Sequence, residues 1–388
     1  MSLGPSCRRA ISKLLIYTVA ALLVLSGVGE RPTAAAARQT KLAAGLEAFV
    51  DKQASNDQFS GAVLLARHGQ PLVRRGYGLA DRARGRLNTP ETPFMLSSVS
   101  KMFTAAATAM LVQRKQLSFD TTIGTVVPDY PLSEARDRVT VRDLLTMSSG
   151  IQDLFRVPAF WSEIATIKSP TDFWRYFAST PLQFPPGSRW NYSNSNFLLL
   201  GMIIERRTGR TFTSVIEDEI FRPLKLANTH YAIDAARPAA LGYTRAAASA
   251  VGAADAAGWY PAWKDPKPGD EFIVASPMGG GYSTVDDLAR FASALIGNRL
   301  FSKELTNRVL TGYIDADYGG RDGYGFETRL VNGIRMAGHR GSLAGSANQV
   351  EFYPDLGYVL IVLGNTDTQG TQSIADYARE LITSSARR

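Results

Sequence analysis

Strand-forming sequence lies at both ends of this chain and helix-forming sequence between them, and that arrangement restricts the fold more than any other feature. Residues 358–365 read YVLIVLGN, an almost wholly apolar run of strand length, which marks a central strand covered on both faces. Far upstream, residues 58–81 hold two apolar-rich runs joined at His68-Gly69-Gln70, a hairpin signal with glycine at the turn. A lone hairpin is marginal in water, so the two terminal strand regions must share one sheet. Two sequential domains are therefore excluded, and the middle becomes an inserted lobe. The expected class is α+β: an antiparallel sheet flanked by helices, built from both termini, with an inserted all-helical lobe.

The intervening pattern supports this. After Pro90 and Pro93, apolar residues Met102, Phe103, Ala106, Ala107, Met110 and Leu111 recur at helical steps, which predicts a buried helix from Ser97/Ser98 to about Gln116. Further helices are expected over 139–150, 197–209, 284–296, 302–310 and 372–384. Strands are expected over 323–331, 346–353 and 358–365. The sheet lobe then covers about 38–96 and 271–388 and the helical lobe about 97–270, with a cleft where they meet, a usual place for a ligand.

Residues 1–37 read as a signal peptide. Arg8, Arg9 and Lys13 precede the apolar run Leu14–Val28, and Ala34–Ala37 offers small residues for cleavage. The competing reading is an uncleaved anchor, but the run is shorter than the ~20 residues a spanning helix needs. Residues 38–388 would be the mature domain, periplasmic or secreted, with no stable membrane span after cleavage. Cys7, the single cysteine, lies inside the leader, so the mature domain has no disulfide, thiolate metal site or cysteine nucleophile. Three histidines, His68, His230 and His339, are too few and too scattered for a histidine-based zinc site. The net charge of +8 is spread among acids without an aromatic-interleaved stripe, which argues against nucleic acid.

Hydrolytic chemistry is thereby narrowed to a serine or threonine with an unusual base, and no G-x-S-x-G elbow is present. Ser98-Val99-Ser100-Lys101 opens the helix that follows the prolines. Three residues of separation place Ser98 and Lys101 on one face, about 5–6 Å apart at Cβ. The helix start favours an oxyanion, and burial would push the lysine toward neutrality. Taken alone, the same four residues describe an ordinary capped helix. Tyr192 and Asn194, in WNYSN after Pro185-Pro186-Gly187, can both face a cleft. Tyr192 would serve as proton acceptor or relay if cations lowered its pKa from about 10, and Asn194 would bind a substrate carbonyl. Gly338-His339-Arg340-Gly341-Ser342 lies before the last strand pair. There His339 supplies a donor or a positive charge, Gly341 permits close approach to the backbone, and the Ser342 N–H can face an oxyanion. Trp259, Tyr260 and Trp263 are expected to pack, Asp286-Asp287 to open a helix, and His68 to form a turn.

The order S-x-x-K, Y-x-N, H-x-G resembles the serine β-lactamase and penicillin-binding-protein superfamily, in its branch of class C β-lactamases, DD-peptidases, D-aminopeptidases and esterases. The flanking stretches FMLSSVSKMFTAAATAMLVQRKQLSFDTTI, VTVRDLLTMSSGI, FPPGSRWNYSNSNFLLLGMIIERRTG and GGGYSTVDDLARFASALI are similar to that family too, as is the final stretch through GYVLIVLGN. The resemblance implies a serine hydrolase needing neither metal nor cofactor and working through a covalent acyl-enzyme on a peptide, amide or ester, and the exported location expected from the leader fits a peptidoglycan stem peptide among them. It implies Ser98 as nucleophile and Lys101 and Tyr192 as the proton-transfer groups. It further implies Asn194 on the substrate amide, His339 on a substrate carboxylate or supporting Tyr192, and the N–H groups of Ser98 and Ser342 as the oxyanion hole. Class C β-lactamases usually carry lysine where this chain has His339, so hydrolysis of a β-lactam is the alternative rather than the leading expectation. The remaining alternative is a silent relative that binds wall peptides or a partner.

Overall fold

The computed structural model describes residues 34–163, 166–167, 170–231, 238–249, 251–262 and 275–385. Most of the expected leader, and Trp263, lie outside them. The chain divides into two units, 1–41 and 42–388. Of the first, residues 34–41 are the opening turns of helix α1 (Ala34–Ser55).

An eight-stranded antiparallel sheet forms the centre. Its strands are β1 (Gly61–Arg67), β2 (Gln70–Tyr77), β3 (Ile314–Ala316), β4 (Gly320–Asp322), β5 (Glu327–Val331), β6 (Ile334–Leu343), β7 (Ser346–Tyr353) and β8 (Tyr358–Gly364), in the order β3-β4-β5-β6-β7-β8-β1-β2. The two ends of the chain meet at β1 and β8, paired from Gly61↔Gly364 to Arg67↔Tyr358. All seven residues of β8 are buried, as its unbroken apolar sequence requires. His68 and Gly69 form the β1–β2 turn with φ of 49° and 78°.

Alternate residues of these strands feed two cores. Val63, Leu65, Leu360 and Val362 pack with Leu42, Leu46 and Val50 of α1 and with Ile374, Ala378 and Ile382 of the closing helix. Ala62, Leu64, Ile361 and Leu363 face the opposite way, into the larger core that holds the remaining helices. The period of two along a strand thus joins both layers through one sheet.

Helices α2 (Lys101–Gln113), α3 (Val141–Leu145), α4 (Asn194–Thr208), α5 (Val285–Ile296), α6 (Lys303–Val309) and α7 (Gly370–Ser385) have readable boundaries. A capping box between Thr140 and Asp143 starts α3, and Gly209, left-handed at φ 68°, stops α4. The inserted stretch also carries a small ladder, Tyr243–Thr244 on Tyr260–Pro261. Trp259 is buried, and its indole N–H donates to Asp57.

Three strands of the sheet depart from expectation: β3 and β4 are absent from the expected set, and β6 carries a segment expected outside any strand. His339-Arg340-Gly341-Ser342 is not a turn before the last strand pair but the far half of β6, paired with β7 from Ala337↔Phe352 to Leu343↔Ser346. Two glycines break the alternating side-chain pattern, yet both are forced by neighbours. A Cβ at Gly338 would overlap the Val350 carbonyl, and one at Gly341 would overlap the Leu96 carbonyl.

Candidate active site

Ser98 sits in a short 3-10 turn, Ser97–Ser100, that runs directly into α2, with Lys101 as the first α-helical residue. The approach is strained: Ser97 holds φ 50° without being glycine, a conformation that costs roughly 1–3 kcal/mol. Neighbouring segments hold it there. Ser97 Oγ donates to Ser346 Oγ at 3.2 Å, and the Leu96 N–H donates to the Gly281 carbonyl at 2.9 Å. Asn348 Nδ2 adds bonds to the Met95 and Leu96 carbonyls.

Two groups converge on Ser98 Oγ. Lys101 Nζ lies 3.0 Å away, and the Tyr192 hydroxyl donates to it at 2.8 Å. Lys101 is fully buried, and desolvation lowers its pKa to about 7, against a smaller opposing pull from Asp153. Its amine also donates to Asn194 Oδ1 at 2.8 Å and to the Met278 carbonyl. Since neutral lysine has two N–H groups and one lone pair, these two acceptors leave the lone pair for the Ser98 hydroxyl proton.

Of the two roles expected for Tyr192, acceptor or relay, its surroundings favour the relay. Desolvation, with lesser contributions from Glu327 and Asp322, pushes its pKa well above the ordinary tyrosine value of about 10, although the bond to Ser98 pulls the other way. The resting phenol therefore keeps its proton and donates. No cation lowers it, and between the two groups Lys101 is the one electrostatically suited to act as base.

Asn194, the first residue of α4, does not offer its amide to a ligand. Its Oδ1 accepts from Lys101, and its Nδ2 faces Asp153 Oδ1 and Oδ2 at 3.3 and 3.2 Å. Both polar ends are engaged and the residue is buried.

His339 is not a cation either. It is buried, its Nδ1 pairs with the Arg340 carbonyl at 2.6 Å, and burial with the nearby Lys101 lowers its pKa to about 3. Arg340 does not replace the missing charge. Its Nε lies 3.2 Å from Glu327, and its guanidinium sits 4.9 Å from the Tyr318 ring centre.

Gly341 brings β6 against the turn that carries Ser98. A Cβ there would stand 2.9 and 3.0 Å from the Val99 and Ser98 amide nitrogens, so the close approach is to the protein's own turn. The exposed Ser342 follows on the same strand, opposite Ala347.

Three participants escaped the sequence reading: Asp153, the Met278 carbonyl, and Asp322. The last accepts from Trp190 Nε1 at 2.5 Å and from the Tyr318 hydroxyl at 2.7 Å, anchoring the segment that carries Tyr192. The contacts of Asp153 with Asn194, of Met278 with Lys101 and of Asp322 with Trp190 join residues distant in sequence. Asp153 lies three residues after the glycine that ends VTVRDLLTMSSG, and Met278 immediately before GGGYSTVDDLARFASALI, so proximity to those motifs was the one available signal. Among the described residues no group of histidines, cysteines and carboxylates is placed to hold a metal ion, and no helix is long and apolar enough to cross a membrane.

The Beta-lactamase family profile matches residues 46–383. Over 206 residues the chain is 34% identical to esterase EstB of Burkholderia gladioli, covering 50% of this chain and 52% of that protein. Over 196 residues it is 29% identical to a D-aminopeptidase of Brucella ovis, covering 49% and 36%. The chain thus spans about half the length, or less, of these curated relatives. Among solved structures, a penicillin-binding protein from Bacillus halodurans superposes with a TM-score of 0.73 at 26% identity, covering 87% of this chain and 98% of that one.

Proposed function

Because the chain belongs to the Beta-lactamase family, we propose that it is a serine hydrolase that cleaves esters or amides through an acyl group carried on Ser98. One observation carries the reading: a single hydroxyl oxygen lies 3.0 Å from a buried lysine amine and 2.8 Å from a tyrosine hydroxyl. A serine hydroxyl is a weak nucleophile until a base within hydrogen-bond reach removes its proton, and Lys101, poised at about 7, meets both conditions.

In the proposed cycle the Lys101 lone pair takes the Ser98 proton as Oγ bonds to the substrate carbonyl carbon, and the carbonyl electron pair moves onto oxygen. The N–H groups of Ser98 and Ser342 face that oxyanion. Tyr192 then gives its proton to the departing oxygen or nitrogen, and the Lys101 ammonium restores it. Water reverses the sequence to free the acid. The geometry favours substrates without a carboxylate beside β6, because His339 is neutral and Arg340 is engaged by Glu327. Neutral esters and amides, including D-aminoacyl amides, therefore rank ahead of β-lactams and of peptides recognised by a terminal carboxylate.

We also propose that the leader over 1–37 exports the protein, so that substrate is met outside the cytoplasm. Cell fractionation of the tagged full chain tests this. The partition into a sheet lobe and a helical lobe joined near Ser98 likewise remains our proposal.

Intact-mass measurement after exposure to p-nitrophenyl butyrate, a D-alanyl anilide and a penicillin tests the hydrolase reading. An adduct or turnover with wild type, absent from Ser98→Ala, supports it. Equal behaviour of the two proteins would leave it without a nucleophile.

A further inference from the structure

We infer that Asp153 is a positioning residue for the base: through the Asn194 amide it dictates which way the Lys101 amine faces. The inference rests on the hydrolase reading above and adds a residue to it.

Asp153 is 7% exposed and precedes the 3-10 turn Leu154–Arg156, whose Phe155 N–H it accepts at 3.2 Å. It also takes the backbone N–H of Asn194 at 3.3 Å and both approaches of Asn194 Nδ2. Burial raises the Asp153 pKa, while the Phe155 and Asn194 N–H groups and the Lys101 amine pull it back down; as a carboxylate it only accepts, so the amide nitrogen faces Asp153 and the amide oxygen faces away. That oxygen lies 2.8 Å from Lys101 Nζ. The other fixed neighbour of Nζ, the Met278 carbonyl, is also only an acceptor. Both N–H groups of the neutral amine are thereby consumed, and its lone pair is left for Ser98.

Turning the Asn194 amide over would reverse this. Nδ2 would then donate to the lone pair, and the amine would present an N–H to Ser98 Oγ, which cannot remove a proton. Asp153 excludes that state, because a flipped amide would set oxygen against carboxylate. A second consequence is electrostatic. As acylation proceeds, the Ser98 O–H bond breaks, an Nζ–H bond forms and Oγ bonds to the acyl carbon, so an ammonium appears within the reach of Asp153. The other titratable side chains facing this amine are Tyr192, which stays protonated, and His339, which stays neutral.

Two variants separate orientation from charge. Asp153→Asn keeps an acceptor for Nδ2 and loses the charge, whereas Asp153→Ala loses both. The measurement is p-nitrophenyl butyrate turnover from pH 5 to 9.5, with near-UV circular dichroism to report folding. We expect Asp153→Asn to move the acidic limb of kcat/KM down by several tenths of a pH unit, with a plateau within tenfold of wild type. Asp153→Ala should lose at least a hundredfold in kcat while KM changes less than threefold. An unmoved limb in Asp153→Asn overturns the inference, as does a folded Asp153→Ala with kcat within threefold of wild type. If Asp153→Ala does not fold, the limb of Asp153→Asn decides alone. Activity surviving in Ser98→Ala would instead strike at the hydrolase reading.

Discussion

Lys101 Nζ stands 3.0 Å from Ser98 Oγ across the join between a 3-10 turn and an α-helix, with the amine fully buried and the serine half-buried. The i, i+3 spacing makes the contact, and burial makes it chemically useful, since a solvated lysine would be protonated at neutral pH.

The rate should therefore follow the amine. Below about pH 7 Lys101 gains a proton and can no longer act as base, so kcat/KM for a neutral ester should fall by up to tenfold per unit as pH drops, and level off above. A pH–rate profile checks this. A flat profile between pH 5 and 9 would remove Lys101 from the role.

The same burial ties stability to pH. The unfolded chain holds the lysine proton up to about pH 10.4, whereas the folded chain releases it near 7, so between these values unfolding takes up a proton. The penalty of burying the amine is complete below the folded value and fades as pH rises toward the unfolded one. Relative to Lys101→Met, wild type should gain about 2 kcal/mol in unfolding free energy from pH 7 to 9, read from urea midpoints and slopes.

His339→Lys should change substrate preference. A cation introduced on β6 supplies the carboxylate partner that neutral His339 and the Glu327-bound Arg340 do not. Covalent capture of a fluorescent penicillin should rise about tenfold relative to turnover of a neutral ester. Capture unchanged or reduced, in a folded protein, would show that charge at this position does not set the preference.

Gly341→Ala tests the contact between β6 and the nucleophile turn. The added methyl overlaps the Leu96 carbonyl and crowds two amide nitrogens, which backbone cannot yield without moving the strand. Esterase activity should drop at least tenfold, and the melting temperature should fall by several degrees. Wild-type values in both would mean that the strand gives way freely.

Strands β1, β2, β7 and β8 and the meeting of Ser98, Lys101 and Tyr192 were legible because each rests on a local pattern: the apolar run of β8, the three-residue step from Ser98 to Lys101, and Tyr192 just before a helix. The charge states were not legible, because they depend on what surrounds a side chain. His339 and Tyr192 each have environments assembled from several elements; these leave His339 neutral, where a donor and a positive charge were both open, and keep the proton on Tyr192, where an acceptor and a relay were both open. Asp153 reaches Asn194 across 41 residues, and Lys101 reaches Met278 across 177. No periodicity records such meetings. Strand β6 was hidden for a simpler reason: the glycines that its neighbours demand are the residues that disguise a strand.

The pairing of β1 with β8 also bears on how the chain acquires its shape. Gly61 meets Gly364 only after some three hundred intervening residues exist, so the first hairpin must wait on the ribosome or in a translocating chain without its permanent neighbour. Closing so long a loop is entropically demanding, and assembly should be slow, with the internal helices able to condense first. Until the last strand arrives, the edge of β1 remains open to the wrong companion, which makes late synthesis the interval of greatest exposure to aggregation.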